Sequence, residues 1–246
     1  MAKALKEAKL NTSWVQPNEA WDAAMAHFIA KILELSPRNR FLESFVSVAE
    51  MVARAGAINS LSQVLLKLTA PGVPDVYQGN EIWDFSLVDP DNRRPVDYLE
   101  RKKMLDALKG ADPGELLDNW SDGRIKLFLT HRLLTFRREN PELFRDGSYR
   151  PLGLTGEFAD CCIAFAREWE AKSIVVLAPR LSSRIGFPPI GDVWRDTVVQ
   201  LPKGFAMENE LLTGEKIAAA GSLTLARAFA RLPLAVVRNS GFQPVP

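Results

Sequence analysis

The feature that most constrains the fold is a change of hydrophobic period near residue 145. Before it, apolar side chains recur at helical spacing. Phe41, Leu42, Phe45, Val48, Ala49 and Val52 form one such set, and Ile58, Leu61, Val64, Leu65 and Leu68 form another. After Gly147 the apolar residues come in short runs instead: Cys161–Phe165, Ser173–Leu177, Thr197–Leu201, Leu223–Leu225 and Leu234–Val237. Gly, Pro, Asp and Asn clusters separate them. The first pattern buries one stripe of a helix, and the second suits short strands joined by turns. Residues 1–145 therefore read as mostly helical and residues 146–246 as a small antiparallel β-domain, with the tail beyond Asn239 frayed.

The helical part divides at its breakers. Residues 3–10 read as a helix end, broken at Asn11-Thr12-Ser13-Trp14. Asn18 is placed to cap a helix carrying Trp21, Met25, Phe28, Ile29, Ile32 and Leu33 as a core stripe. Ser36-Pro37 is a break. A helix from Asn39 to Ala55 comes next, with Gly56 as its C-terminal cap, and a second helix runs from Ala57 to Leu68. Further on, Tyr98–Lys109 has Leu99, Met104, Leu105 and Leu108 inward. A short helical piece lies around Glu115–Leu117. Arg124–Asn140 is amphipathic, with Ile125, Leu127, Phe128, Leu129, Leu133, Leu134 and Phe136 on its apolar face. His27 and His131 each stand alone on a helix, and no second metal-ligand type is spaced to join them.

Between the helices runs LTAPGVPDVYQGNEIWDFSLVDPDNRRPVD, Leu68–Asp97. Pro71-Gly72 signals a turn, and Val73–Tyr77 reads as a short buried strand that Gly79 stops. The residues after Gly79 are dense in hydrogen-bonding groups: Glu81, Trp83, Asp84, Asp89, Asp91, Asn92, Arg93, Arg94 and Asp97. A core has no use for so many polar side chains in one stretch, whereas a long ordered loop commonly carries function.

PGVPDVYQGNE resembles the last barrel strand of the α-amylase family of glycoside hydrolases and transglycosylases. IWDFSLVDPDNRRPVD is most similar to the branch that converts the reducing-end α-1,4 linkage of a maltooligosaccharide to an α,α-1,1 linkage. EAKLNTSWVQPNEAWDAA and FLESFVSVAEMVARAGAINSLSQVLLKLTAPG look like the same branch. The resemblance implies an α/β barrel remnant, the last strand and surrounding helices of a TIM-type barrel, followed by a small antiparallel β-domain. It makes residues 1–145 the mostly helical end of a catalytic barrel, with its last strand near residues 73–77. A complete barrel needs eight strands, each followed by a helix, and residues 1–145 offer one. The chain therefore reads as the C-terminal part of a longer enzyme, with Met1 a truncation or gene-call start. An independent helical domain that carries the motif is the alternative. A hydrolase, a 4-α-glucanotransferase and a non-catalytic carbohydrate-binding module remain competing functions.

Retaining glycosyl transfer requires a nucleophilic carboxylate and an acid/base about 5 Å apart. The resemblance places these, and a third carboxylate, on earlier barrel strands whose motifs are not in this sequence. No catalytic residue is assigned. A loop after a barrel strand opens at the active-site end, and carboxylates and guanidinium groups bind vicinal hydroxyls through charge-assisted hydrogen bonds. Asp89, Asp91, Asn92, Arg93 and Arg94 are therefore the expected substrate-binding residues, with Gln78, Glu81, Trp83 and Trp14 behind them. Trp14 sits in a polar turn, where an indole can stack on a pyranose or bury itself. The arginines can equally bridge Asp84, Asp89 or Asp97 and rigidify the loop. The expected ligand is a maltooligosaccharide or α-glucan, and the expected partner is the missing N-terminal part of the same enzyme.

Composition closes off other classes. The 246 residues are 47% hydrophobic and 25% charged, as in ordinary globular chains. A net charge of +1 gives no electrostatic case for nucleic acid or an anionic membrane. No run is apolar enough to cross a bilayer, and the N-terminus lacks the apolar core of a signal peptide. Cys161 and Cys162 are adjacent, which suits neither a structural bridge nor a metal framework. No cofactor or metal is expected, and a cytoplasmic setting fits.

Overall fold

The computed structural model describes residues 1–242, which form two compact units divided between Arg54 and Ala55. In the first unit lie α1 (Ala2–Ala8), α2 (Glu19–Ile32) and the start of α3 (Arg40–Thr69). Asn18 caps α2 as expected, its Oδ1 accepting from Trp21 N at 3.1 Å. The stripe expected to form core does not. Trp21, Phe28, Leu33, Phe41, Phe45, Val48 and Val52 are all exposed, and no hydrophobic side chain of this unit is buried among the described residues. Helical phase determines which residues share a face, not what covers that face.

Gly56 is not a cap. α3 runs without interruption for 30 residues through it. A glycine inside a helix costs about 1 kcal/mol relative to alanine, too little to stop a helix anchored downstream. That anchor begins at once: Ala57, Ile58, Leu61, Leu65 and Leu68 are buried.

The second unit is built on a six-stranded antiparallel sheet in the order β1-β3-β4-β9-β6-β7. Its strands are β1 (Ser148–Pro151), β3 (Cys162–Trp169), β4 (Lys172–Pro179), β6 (Ala206–Glu210), β7 (Lys216–Ala220) and β9 (Ala235–Asn239). A three-stranded sheet, β2 (Leu154–Thr155), β5 (Val198–Gln200) and β8 (Ser222–Thr224), lies over one face. Helices cover the other face: the end of α3, α4 (Tyr98–Ala107), α5 (Pro113–Asp118), α6 (Arg124–Glu139) and α7 (Pro141–Arg145).

β4 shows why its sequence is continuously apolar. Ile174, Val176 and Ala178 pack toward the helices, while Val175 and Leu177 pack toward the small sheet. A strand buried on both faces has no polar alternation. The five expected strand runs all coincide with strands. β6 and β7 went unread because AMENE and KIAAA carry little strand propensity. Leu99, expected inward, is exposed, whereas Leu108 is buried. Phe242 packs 5.3 Å from Phe136 between ring centroids, so the chain is held past Asn239. The rest of the expected frayed tail, residues 243–246, lies outside the described residues. Cys161 and Cys162 are buried free thiols, and no described helix is long and apolar enough to cross a membrane.

The odd-numbered side chains of β3 face the helices, and one of them is Arg167, 1% exposed. Its guanidinium donates to five backbone carbonyls. Nε reaches Ser148 O at 2.7 Å and one terminal nitrogen reaches Thr69 O at 3.0 Å. The other terminal nitrogen reaches Leu143 O, Phe144 O and Gly147 O at 3.0–3.1 Å. These are the ends of α3 and α7 and the entry to β1. Carbonyls at helix C-termini carry partial negative charge, which favours a cation there. Burial, and then the nearby Arg137 charge, lower the Arg167 pKa from the usual arginine range, but a guanidinium stays protonated.

Two stability measurements check these contacts. Gly56→Ala should raise stability by about 0.4–1 kcal/mol in urea unfolding, because a Cβ there meets nothing within 4 Å. A destabilised alanine variant would contradict an uninterrupted α3. Arg167→Met should cost about 3 kcal/mol or more, since it strands several buried carbonyls. Arg167→Lys should recover part of that loss, an ammonium having three donors. A methionine variant as stable as the parent would show that the carbonyls find other partners.

Candidate functional site

The segment from Ala70 to Asp97 leaves α3 and returns at α4. Val73–Tyr77, expected as a buried strand, is not one. It joins no ladder, and Val73 is 97% exposed. A strand needs neighbours for its N–H and C=O groups, and none of the described strands adjoins this segment. Its start is nevertheless fixed. Arg137, on α6, donates to Leu68 O at 3.2 Å and to Gly72 O at 2.5 Å.

The middle of the segment is fastened from below. Trp83 inserts its indole beside Trp120, ring centroids 6.4 Å apart, and donates Nε1 to Trp120 O at 2.7 Å. Lys126 is buried on α6, donates Nζ to Ile82 O at 3.1 Å, and lies 5.7 Å from the Trp83 ring centroid. Burial lowers the pKa of its ammonium group, the nearby Lys67 charge acting the same way and Asp84 and Glu81 opposing it. Gly123 makes this approach possible: at φ +81 it faces Ile82 and Trp83, and a Cβ would meet Ile82 Cβ at 3.0 Å. Glu81 and Arg101 pair at 3.4 Å. Asp97 caps α4, accepting from Glu100 N at 2.9 Å.

The rim above this floor is exposed. Asp91–Arg93 form one turn of 3-10 helix. Asp89 pairs with Arg93 at 2.5 Å and Asp91 with Arg94 at 3.7 Å. The two arginine side chains remain 69% and 70% exposed. The Asn92 Oδ1 is buried and has no hydrogen-bond partner among the described residues. Gln78 approaches the Arg94 carbonyl at 3.5 Å. Asp84 accepts from Ser86 N at 2.9 Å, and its pKa is lowered first by the Ser86 side-chain hydroxyl and then by that amide.

Of the expected binding residues, Asp89, Asp91, Asn92, Arg93 and Arg94 thus gather on one rim, with Gln78 beside it. Glu81 and Trp83 belong to the floor. Trp14 lies in the other unit, more than half exposed, its Nε1 donating to Glu7 Oε1 at 2.9 Å. Of the two readings open to it, stacking on a pyranose or burial, burial does not occur. The arginine bridging weighed from sequence occurs with Asp89, and additionally with Asp91. Arg101, Trp120, Lys126, Arg137 and Arg167 hold the loop and were not singled out from sequence. The available signal was a basic residue set within an apolar stretch, as Lys126 lies between Ile125 and Leu127. Chemically the rim offers paired donors and acceptors open to hydroxyl groups. No cluster of metal-ligating side chains occurs among the described residues.

A helical layer and a small antiparallel sandwich flank the charged, open loop. Comparison with solved structures narrows the likeness. The maltooligosyltrehalose synthase of Arthrobacter ramosus superposes with a TM-score of 0.76 at 35% identity, over 96% of this chain and 29% of that one. A second structure, of a maltooligosyl trehalose synthase, gives 0.73 at 32% identity with the same coverage. A curated Mycobacterium tuberculosis (strain H37Rv) protein, provisionally given the same enzyme name, is 37% identical over 235 residues, 96% of this chain. The chain spans about a quarter, 27%, of the length of that relative. No family model matches the chain. The chain is thus a homologue of one portion of maltooligosyl trehalose synthase.

The floor can be tested apart from any activity. Trp83→Phe deletes one hydrogen bond and should cost about 1 kcal/mol. Lys126→Met leaves the Ile82 carbonyl unpaired and should cost about 1–3 kcal/mol. Both should speed proteolysis within residues 84–95. Unchanged cleavage rates in both variants would mean the loop is not held from below.

Proposed function

We propose that this chain is the C-terminal segment of an enzyme that converts the reducing-end α-1,4 linkage of maltooligosaccharides to an α,α-1,1 linkage by intramolecular transglucosylation. The observation that carries this reading is the 37% identity, over 96% of the chain, to a quarter of a maltooligosyl trehalose synthase. The substrate is then a maltooligosaccharide or related α-glucan, and the partner is the remainder of the enzyme. The segment from α3 to α4 belongs to the last repeat of a TIM-type barrel, and Val73–Tyr77 takes its place beside strands supplied by that remainder.

On this reading the chain binds and orients, and the reacting carboxylates come from elsewhere in the enzyme. Asp91 and Arg94 direct hydrogen bonds to sugar hydroxyls, and Asp89 with Arg93 braces the turn that presents them. Intramolecular transfer must keep water from the covalent intermediate while the released sugar turns over in place. A rim held on the fixed floor of Trp83 supports that exclusion.

The isolated chain should show no turnover of maltopentaose, and trehalose-ended product above a no-protein control would refute the reading. In the full-length enzyme, Asp91→Ala and Arg94→Ala should each slow turnover by about ten- to a hundredfold, the loss of a charge-assisted hydrogen bond in the transition state. Stability should change little, because an exposed ion pair contributes about 0–1 kcal/mol. The share of hydrolytic product should rise. Normal kinetics and product ratio in both variants would leave the rim a brace without a substrate role.

A further inference from the structure

A surface cleft of the second unit has none of the rim residues in its lining. It encloses about 650 Å³ and is lined from α6 by Arg132, from β6 by Glu208 and Asn209, and from the end of β9 by Arg238 and the following Phe242. Three observations mark it as more than a surface irregularity. The Arg132 Nε is buried and has no hydrogen-bond partner among the described residues. The register of β6 shifts between Met207 and Asn209 against both β7 and β9. A bulge of this kind turns side chains out of the pleat and recurs beside functional sites. Finally, Glu210, the carboxylate at the base of the cleft, is fully engaged elsewhere. Its oxygens accept from Thr213 N at 2.6 Å, Thr213 Oγ1 at 2.8 Å and Val236 N at 3.0 Å. Burial also raises its pKa, against the pull of those hydrogen bonds. None of these partners is an arginine, and no ion pair joins Glu210 to Arg132 or Arg238 among the described residues.

We infer that this cleft binds the phosphoryl group of a small phosphate ester, held between Arg132 and Arg238. A planar carboxylate is satisfied by one guanidinium edge. Two guanidinium groups brought from separate elements to one cavity suit the several oxygens of a tetrahedral dianion. The volume exceeds what a bare phosphate fills, and the Phe242 ring, held against Phe136, gives the organic part of the ester an apolar wall. Asn209 adds a neutral amide. Glu208 is exposed at the edge and weakens the attraction.

Calorimetric titration of the 246-residue chain at constant ionic strength tests this, with inorganic phosphate, phenyl phosphate and maltose as separate probes. Both phosphates should bind saturably, phenyl phosphate more tightly. R132Q and R238Q should each weaken binding by about tenfold, the equivalent of one charge-assisted hydrogen bond. E208Q, a change at an exposed side chain, should tighten it, which keeps the test open if an arginine variant misfolds. Absence of saturable binding by either phosphate would overturn the inference. So would affinities unchanged in the arginine and glutamate variants, or maltose binding that R238Q abolishes while phosphate stays silent.

Discussion

A positive charge buried without a carboxylate holds this structure together. Arg167 enters the interior from β3 and directs its hydrogen bonds to backbone carbonyls, at the ends of α3 and α7 and the entry to β1. Desolvating a guanidinium is costly unless its donors are filled, and here it makes five bonds to backbone carbonyls. The sheet and the helical layer are thereby fixed to each other at the point where the chain leaves α3 for the charged loop.

The same device recurs along that loop. Arg137 holds Leu68 O and Gly72 O, and Lys126 holds Ile82 O. In each case a cation from α6 reaches a carbonyl at the end of α3 or in the loop beyond it. The loop has little hydrophobic burial of its own, so its position is inherited from these contacts and from Trp83 against Trp120. The consequence is a division of labour. Below, charged groups are buried and directed at backbone. Above, the Arg93 and Arg94 side chains are exposed, paired with Asp89 and with the half-buried Asp91. A site whose groups are held by a rigid support can orient a flexible sugar without reorganising itself.

The β-rich part was legible in the sequence because burial on both faces of β4 leaves an unbroken apolar run, bounded by turn residues. The charged, exposed rim was legible because DPDNRRPVD concentrates charges no core would accept. Other elements were not, for identifiable reasons. A glycine at position 56 reads as a stop, yet its cost is small beside the burial of Ile58, Leu61 and Leu65 further along the helix. Phe28, Phe41 and Phe45 keep helical phase, and phase carries no information about a covering surface. Val73–Tyr77 has strand composition but no neighbour here to pair with. β6 hides behind a bulge and three polar residues. Arg167 and Lys126 were unreadable as supports because their partners are backbone carbonyls, which leave no trace in side-chain sequence.

For the proposed role, the rim around Asp91 and Arg94 must touch sugar while its floor stays fixed. A crystal structure of the full-length enzyme with a bound maltooligosaccharide measures this directly. Sugar hydroxyls are predicted within hydrogen-bond distance, about 2.7–3.2 Å, of the Asp91 carboxylate or the Arg94 guanidinium, with the Trp83–Trp120 contact unchanged. A bound sugar that leaves the whole rim facing solvent, or a rim that has moved together with Trp83, would contradict that role.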